Sequence, residues 1–300
     1  MFPRHGLLGW FSGHHAGRAF LAPTVILLLL LTIFPFLFAL ALAFGKVSVL
    51  GPLRISFQGG QNWVRLFHDE RFWNSLTVTV KIAGVATILE YVLGLGLALL
   101  LNQRVPGRGF FRMIFLMPMM LAPIAVGYLW RMMFGPAYGP INGVLTRLGL
   151  PMQEWLTDSQ MAIWAVIMTD VWQWTPFVLL ILFAGLQAIP TELIEAARVD
   201  GAKSWQLFFH VIFPLLAPAS IAAILLRLIE AFKIVDIIYI LTTGGPGIST
   251  ESLTLYAYSI GLRTFDLAYG STLAFSLFLT VLVASLIFVR GVRRYQEVRY

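Results

Sequence analysis

The apolar run AFLAPTVILLLLLTIFPFLFALALAF, residues 19–44, contains no charged side chain. A helix rises about 1.5 Å per residue, so about 20 apolar residues cross the roughly 30 Å hydrocarbon core of a bilayer. The run is therefore long enough to span a membrane once. It is too long for the apolar region of a secretory signal and no small-residue cleavage site follows it, so we expect it to stay in the protein.

Five further apolar stretches of similar length lie at residues 76–101, 111–134, 160–188, 208–241 and 268–290. The composition agrees with them, since 59% of the residues are hydrophobic, 12% are charged and the mean hydropathy is +0.83. So few charged side chains cannot cover the surface of a soluble protein of 300 residues. The sequence predicts an all-α membrane protein with six spans in one domain, residues 19–290, between terminal tails at 1–18 and 291–300.

Six spans place both termini on the same side of the membrane. That side also carries the larger share of the Lys and Arg residues, so we predict that both termini are cytoplasmic. The isoelectric point of about 9.9 then indicates topology and contact with anionic membrane lipid. Nucleic-acid binding is not expected, because no basic patch with interleaved aromatic residues lies outside the spans.

Motifs for catalysis or metal binding are missing from the sequence. The glycine-rich segment at 244–247 is interpreted as a turn, since no G-x-x-x-x-G-K-[ST] phosphate loop occurs anywhere. His14 and His15 lack a third ligand at useful spacing, and the absence of cysteine excludes disulfides and thiolate sites. We therefore expect neither an enzyme nor a metal protein. Gly94-x-Gly96 in the second stretch predicts close helix packing.

A charged segment, EAARVDGAKSWQLFFHVIFPLLAP at residues 195–218, interrupts the apolar sequence between the fourth and fifth stretches. TELIEAARV can form a short helix, with Thr191 as its cap and with Glu192 and Glu195 near its N-terminus. Gly201 then permits the turn with positive φ that leads into a second helix. The resulting helix–glycine–helix element offers a small apolar face rimmed by charge, which suits a groove on another protein. An ordinary loop re-entering the membrane is the alternative.

This segment resembles the EAA signature of ABC-importer permeases, in which E-A-A, three residues and Gly precede an I-x-L-P motif. The matching residues are Glu195, Ala196, Ala197, Gly201, Ile212 and Pro214, with Phe213 where Leu is often found. DVWQWTPFVLLILFAGLQAIPTELIEAA and EAFKIVDIIYILTTGGPGISTESLTLYAY are similar to the carbohydrate-importer permeases, which include maltose, trehalose and glycerol-phosphate systems. The likeness covers about residues 15–295.

The resemblance implies a permease of the type I ABC-importer fold in the bacterial or archaeal cytoplasmic (inner) membrane. Its partners would be a second homologous permease, two copies of an ATPase subunit that carry the ATP and Mg, and a periplasmic or lipid-anchored sugar-binding protein. This chain itself would hydrolyse no ATP and bind no cofactor. The EAA loop, residues 190–214, would fit a cleft on the ATPase. The coupling residues would be Glu195, Ala196, Ala197, Asp200, Gly201 and Pro214.

Ionisable residues inside apolar spans are costly and are therefore candidates for function. The fourth stretch contains Asp170, and the fifth contains Arg227, Glu230, Lys233 and Asp236. The i, i+3 spacing of the last three predicts that they share one helix face. An internal salt-bridge ladder is the alternative role for these residues, and Lys81 and Glu90 of the second stretch are candidates for the other half of such a scheme.

Alignment with the maltose-type permeases implies a sugar site. With Lys233 included, its residues are Met119, Pro123, Asp170, Gln173, Trp174, Glu230, Ala231, Lys233 and Ile234. Three of these positions, 170, 231 and 234, hold asparagine in that group, which disfavours maltose itself.

Carboxylates accept sugar hydroxyl groups, and Asp170 and Glu230 disfavour an anion unless Arg227 or Lys233 points inward. We therefore expect transport of a neutral sugar, an oligosaccharide or a polyol. One alternative is an ABC permease for another solute class, such as glycerol phosphate, amino acids or metal ions. A less favoured alternative is an ion-coupled secondary transporter with Asp170, Glu230 and Asp236 as the relay, although two matched halves are missing.

Overall fold

The computed structural model describes residues 14–48, 54–103 and 106–297. In chain order the elements are α1 (His14–Ala43), β1 (Gly45–Ser48), β2 (Arg54–Phe57), α2 (Gln61–Phe67), α3 (Glu70–Asn102), α4 (Arg108–Leu116), α5 (Pro123–Met133), α6 (Pro140–Arg147), α7 (Ser159–Gln187), α8 (Thr191–Val199), α9 (Ser204–Leu207), α10 (Phe213–Ala231), α11 (Asp236–Leu241), α12 (Leu253–Tyr258) and α13 (Leu267–Glu297). A 3₁₀ turn, Met117–Met120, follows α4, and single π turns join α9 to α10 and α12 to α13.

Five helical segments of the described chain are long and apolar enough to cross a membrane: α1, α3, α7, the run from Ser204 to Ala231, and α13. A sixth crossing requires α4 and α5 together, which are bent by 99° relative to each other. The predicted helical membrane protein is thus confirmed. The expectation of helix alone is wrong in one detail, because β1 and β2 form a short antiparallel hairpin after α1, with Gly45 opposite Phe57. The last helix also continues to Glu297, into the predicted C-terminal tail.

The third apolar stretch, predicted as one span at 111–134, is broken. The backbone is extended at Ala122, where ψ is 135°, and α5 starts at Pro123. Proline has no N–H for a helical bond with the preceding turn, and its ring pushes the residue before it out of the α conformation. The proline therefore begins α5 and keeps the residue before it from continuing the preceding 3₁₀ turn as a helix.

The predicted fifth span, 208–241, is also too long. Its helix ends at Ala231, and a separate helix, α11, starts at Asp236. Backbone groups released by such a break need partners inside a membrane, and the hydroxyl of Ser252 donates to the carbonyl of Ile234 at 2.7 Å. Because of the break, the prediction that Glu230, Lys233 and Asp236 share one helix face is wrong.

The centre of the molecule is formed by α3, α7 and α10. Gly94 lets α3 approach α7 closely, since a Cβ there would lie 2.9 Å from Cγ1 of Val178. The close packing predicted for Gly94-x-Gly96 is thus confirmed at Gly94 but not at Gly96, where no atom lies within 4 Å of a Cβ. Beside it, Leu182 of α7 packs with Leu216 of α10 in a buried apolar cluster. By contrast, α1 contacts mainly α13 and is exposed along most of its length.

Candidate functional site

A cavity of about 250 Å³ lies where the two helix breaks meet α7 and α10. The N-terminus of α5 closes one side, and the non-helical segment between α10 and α11 closes another. Its lining residues are Pro123, Asp170, Trp174, Arg227, Glu230, Lys233, Ile234, Val235, Asp236 and Ile237.

Six of the nine residues expected at the sugar site line this cavity: Pro123, Asp170, Trp174, Glu230, Lys233 and Ile234. The other three are placed elsewhere. Gln173 is buried and donates its amide to the carbonyl of Leu121 at the α4–α5 break, at 3.2 Å. Ala231 packs in a small apolar cluster with Ala83 and Phe232, and Met119 lies in the 3₁₀ turn before the break.

A buried group of three charged side chains forms one wall of the cavity. Arg227 of α10 donates Nε to Oε2 of Glu90, Nη2 to Oε1 of the same carboxylate at 2.9 Å, and Nη2 also to Oδ2 of Asp170. Each of the three residues is at most 2% exposed. Buried charges are tolerated when they are paired and hydrogen-bonded, so this triad ties α3, α7 and α10 together. We call it the Glu90–Arg227–Asp170 triad.

The remaining charges in the lining are exposed. Lys233 donates to Glu230 at 2.7 Å, and both side chains are 52% exposed. Asp236 lies in the first turn of α11, where a negative charge favours the helix dipole. The salt-bridge ladder considered as an alternative is therefore present in part: Lys233 pairs with Glu230 along the fifth stretch, and Arg227 pairs across helices with Glu90 and Asp170. Of the two candidates for the other half of that scheme, Glu90 takes part, whereas Lys81 is exposed and makes no ion pair in the described chain.

The predicted helix–glycine–helix element is present as α8, Gly201 and α9. Gly201 has a φ of +78° and no atom lies within 4 Å of where a Cβ would be, so a side chain would cost backbone strain of about 1–2 kcal/mol but no clash. The expected cap is wrong: Pro190 occupies the cap position, and no side chain caps α8. The second helix instead uses Gln206, whose amide oxygen accepts from the N–H of Lys203 at 2.8 Å.

Three of the residues that the EAA motif predicted for coupling lie on α8, and the others follow it in the chain. Glu195 and Ala196 are exposed and Ala197 is half-buried. Asp200 follows the last residue of α8, and Pro214 is in the first turn of α10. Val199 is 87% exposed. No described part of the chain covers this apolar and charged face.

At one end of the bundle, Asp69 connects three helices. It caps α3 by accepting from the N–H groups of Arg71 and Phe72, and its Oδ2 accepts from the hydroxyls of Tyr256 at 2.6 Å and Tyr269 at 2.5 Å. Burial acts to raise the pKa of Asp69, but the hydrogen bonds from the two tyrosines and the backbone outweigh it and lower the pKa below its usual value.

Within the described residues, no group of three His, Asp or Glu side chains is arranged to hold a metal ion. His14 and His15 lie at the start of α1, and their side chains fall outside the described part of the structure.

Comparison with known proteins identifies the architecture. Residues 90–296 match the family model described as "Binding-protein-dependent transport system inner membrane component". The chain is 40% identical to the trehalose/maltose transport system permease protein MalF of Thermococcus litoralis, over 78% of this chain and 79% of that protein. It is 36% identical to the sn-glycerol-3-phosphate transport system permease protein UgpA of Agrobacterium fabrum, over 88% and 89%.

A chain of the bacterial alginate ABC transporter, solved in complex with an alginate pentasaccharide-bound periplasmic protein, has the same fold. The TM-score is 0.82 at 22% identity, and the alignment covers 96% of this chain and 98% of that chain. Permeases of this family do not hydrolyse ATP themselves and bind no cofactor. The family match covers more than half of the chain, which therefore belongs to the binding-protein-dependent transport system inner-membrane components, the multi-pass permease subunits of ABC importers.

Proposed function

We propose that this permease conducts a neutral sugar, oligosaccharide or polyol by alternating access, through the cavity lined by Asp170, Trp174 and Arg227. It would work with a second homologous permease, two copies of an ATPase subunit and an external solute-binding protein, and both of its termini would be cytoplasmic.

The charge arrangement of the cavity is the observation that carries this proposal. Both cations of the lining are already paired, Arg227 with two carboxylates and Lys233 with Glu230. Arg227 lines the cavity, as binding of an anionic solute would require, but its charge is balanced by the carboxylates of Glu90 and Asp170. An anion would therefore find no unpaired cation in the described lining, and it would face the negative charge of Asp236 as well. A neutral polyhydroxylated solute suits this arrangement better.

The side chains also match sugar chemistry. Carboxylate oxygens accept the hydroxyl groups of a sugar, and Trp174 offers an aromatic face for its apolar C–H surface. The relative named for trehalose and maltose supports a sugar. The relative named for sn-glycerol-3-phosphate makes a phosphorylated polyol the main competitor.

Coupling to ATP hydrolysis is assigned to α8 and the Gly201 turn. Leu193 and Val199 expose apolar surface beside Glu195, Arg198 and Asp200. Uncovered apolar side chains rimmed by charges are typical of a helix that docks in a groove on a partner. The cleft of the ATPase subunit is the partner we assign to this face.

The test is ATPase stimulation in the transporter reconstituted with its partner subunits and its binding protein. Trehalose, maltose, glycerol, sn-glycerol 3-phosphate and an amino acid mixture are added separately. We expect stimulation by a sugar or by glycerol. Stimulation only by sn-glycerol 3-phosphate or by amino acids would overturn the solute class.

A further inference from the structure

The three residues of the Glu90–Arg227–Asp170 triad differ in their access to the cavity. Arg227 and Asp170 line the cavity, whereas Glu90 does not. Both oxygens of Glu90 are used by Arg227, through its Nε and Nη2. Glu90 therefore holds the guanidinium from behind, with the fork geometry that fixes an arginine in one orientation.

The groups left over in the triad form a donor–acceptor pair. The guanidinium has five N–H donors, and the bonds to Glu90 and Asp170 use those of Nε and Nη2. Nη1 makes no hydrogen bond to the described chain, and neither does Oδ1 of Asp170. Two donors and one carboxylate oxygen thus remain on side chains that line the cavity. A pair of neighbouring hydroxyl groups, which donate and accept at once, is the complementary ligand.

We propose that Arg227 binds solute hydroxyls through Nη1, and that Glu90 is the positioning residue that aims this guanidinium and makes the triad net negative. The cavity then recognises vicinal hydroxyl groups with a charged, oriented donor while excluding anions. This inference rests on the proposed function, since it assigns the neutral selectivity to a residue outside the cavity.

Charge counting gives the direction of the effect. The triad holds two carboxylates against one guanidinium and therefore carries a net negative charge, which removal of Glu90 cancels. An anionic solute would then meet less repulsion at the Nη1 donors of Arg227, which are no longer fixed in one orientation. A purely structural tie predicts a different result, namely equal loss for every solute through poorer folding.

The experiment measures direct binding to the nucleotide-free transporter complex in nanodiscs without its binding protein, so that only the permease cavity selects. Radiolabelled trehalose, maltose and glycerol are the neutral probes, and sn-glycerol 3-phosphate is the anionic probe. In the wild type we expect a preference for a neutral probe. In Glu90→Gln the ratio of anionic to neutral affinity should rise by about tenfold.

Thr87→Val is the matched control. Thr87 is buried one turn before Glu90 on α3, its hydroxyl has no partner in the described chain, and valine keeps its shape. The affinity ratio should not change in this variant. An unchanged ratio in Glu90→Gln, with a wild type that prefers the neutral probe, overturns this inference and leaves the proposed function standing. A wild type that prefers sn-glycerol 3-phosphate overturns the proposed function.

A second variant covers the case in which Glu90→Gln does not accumulate in the membrane. The triple variant Glu90→Gln, Asp170→Asn, Arg227→Gln removes all three buried charges together, which proteins tolerate better than removal of one partner. It should bind the preferred neutral probe about tenfold or more weakly, because a hydrogen bond from a charged donor is lost. Binding equal to that of the wild type would show that Arg227 does not contact the solute.

Discussion

Replacing Gly94 by alanine should force α3 and α7 apart. The new Cβ would lie 2.9 Å from Cγ1 of Val178, 3.0 Å from its Cβ and 3.1 Å from the backbone nitrogen of Leu179. Carbon atoms in good contact are about 3.5–4.0 Å apart, so each distance is short by several tenths of an ångström. A rotamer change at Val178 removes only one of the three conflicts, because the other two atoms move only with the backbone of α7.

The cost follows from this geometry. An extra methyl group in a well-packed core destabilises by about 1–3 kcal/mol, and the better helix propensity of alanine offsets up to about 1 kcal/mol. Because two of the crowded atoms cannot rotate away, we expect a net destabilisation of about 1–2 kcal/mol. Thermal unfolding of the purified permease in nanodiscs should then show a midpoint lower by several degrees.

Gly96→Ala is the control on the same helix. No atom lies within 4 Å of where its Cβ would be, so the substitution should leave the midpoint unchanged or raise it slightly. Adding Val178→Ala to Gly94→Ala should restore part of the stability but not all, since the conflicts with the Cβ of residue 178 and with the Leu179 nitrogen remain. Equal midpoints for Gly94→Ala and Gly96→Ala would refute the close approach of α3 and α7.

Three further outcomes can be checked on the purified permease or, for ATPase activity, on the transporter reconstituted with its partner subunits. Asp69→Asn should lower the free energy of unfolding by about 1–2 kcal/mol at neutral pH. Because the folded-state pKa of Asp69 is lowered, the stability that its carboxylate contributes is complete above the unfolded-state pKa of about 4 and is lost as the pH falls through the folded-state pKa. The unfolding midpoints of the two proteins should therefore converge in acid. Val199→Glu should leave the midpoint unchanged because the side chain is 87% exposed, yet solute-stimulated ATPase activity should fall by about tenfold; full activity would remove α8 from the coupling surface. Lys233→Gln should change the unfolding free energy by less than about 1 kcal/mol, because both members of its pair with Glu230 are half-exposed.

The sequence was sufficient for those parts of the fold that depend on local composition. Long apolar runs correspond to α1, α3, α7, α10 and α13, because crossing a bilayer requires length and hydropathy alone. The turn at Gly201 was equally predictable, since one residue type is favoured at a positive φ. Hydropathy did not predict the breaks in the third and fifth runs, because the sequence stays apolar where the helix is interrupted. Pro123 was a signal in the sequence for the first break. The second break had no such local signal, because the carbonyl that it frees at Ile234 is satisfied by Ser252, which is 18 residues away.

The site was predictable as a set of residues but not as a set of bonds. The likeness to sugar permeases indicated most of the cavity lining, and the i, i+3 spacing correctly indicated the pair of Glu230 and Lys233 but gave no partner for Arg227. Arg227 pairs with Glu90, which is 137 residues away in the sequence. Such a partner depends on how α3, α7 and α10 pack, and no periodicity within one helix contains that information. The available signal was the lone glutamate in an otherwise apolar run.

The stability of the fold does not by itself explain why this triad is charged. Taking three charges out of water costs several kcal/mol for each ion, and apolar side chains of similar volume often give equal or greater stability in such places. Apolar residues could tie α3, α7 and α10 together, as Ala98, Leu182 and Leu216 already do a few turns away. They could not present an N–H donor and a carboxylate oxygen to a solute in the cavity. We therefore attribute the buried charges to the need for oriented hydrogen-bonding groups that face the cavity within the membrane. Loss of the preference for neutral solutes in Glu90→Gln would distinguish this explanation from a purely structural one.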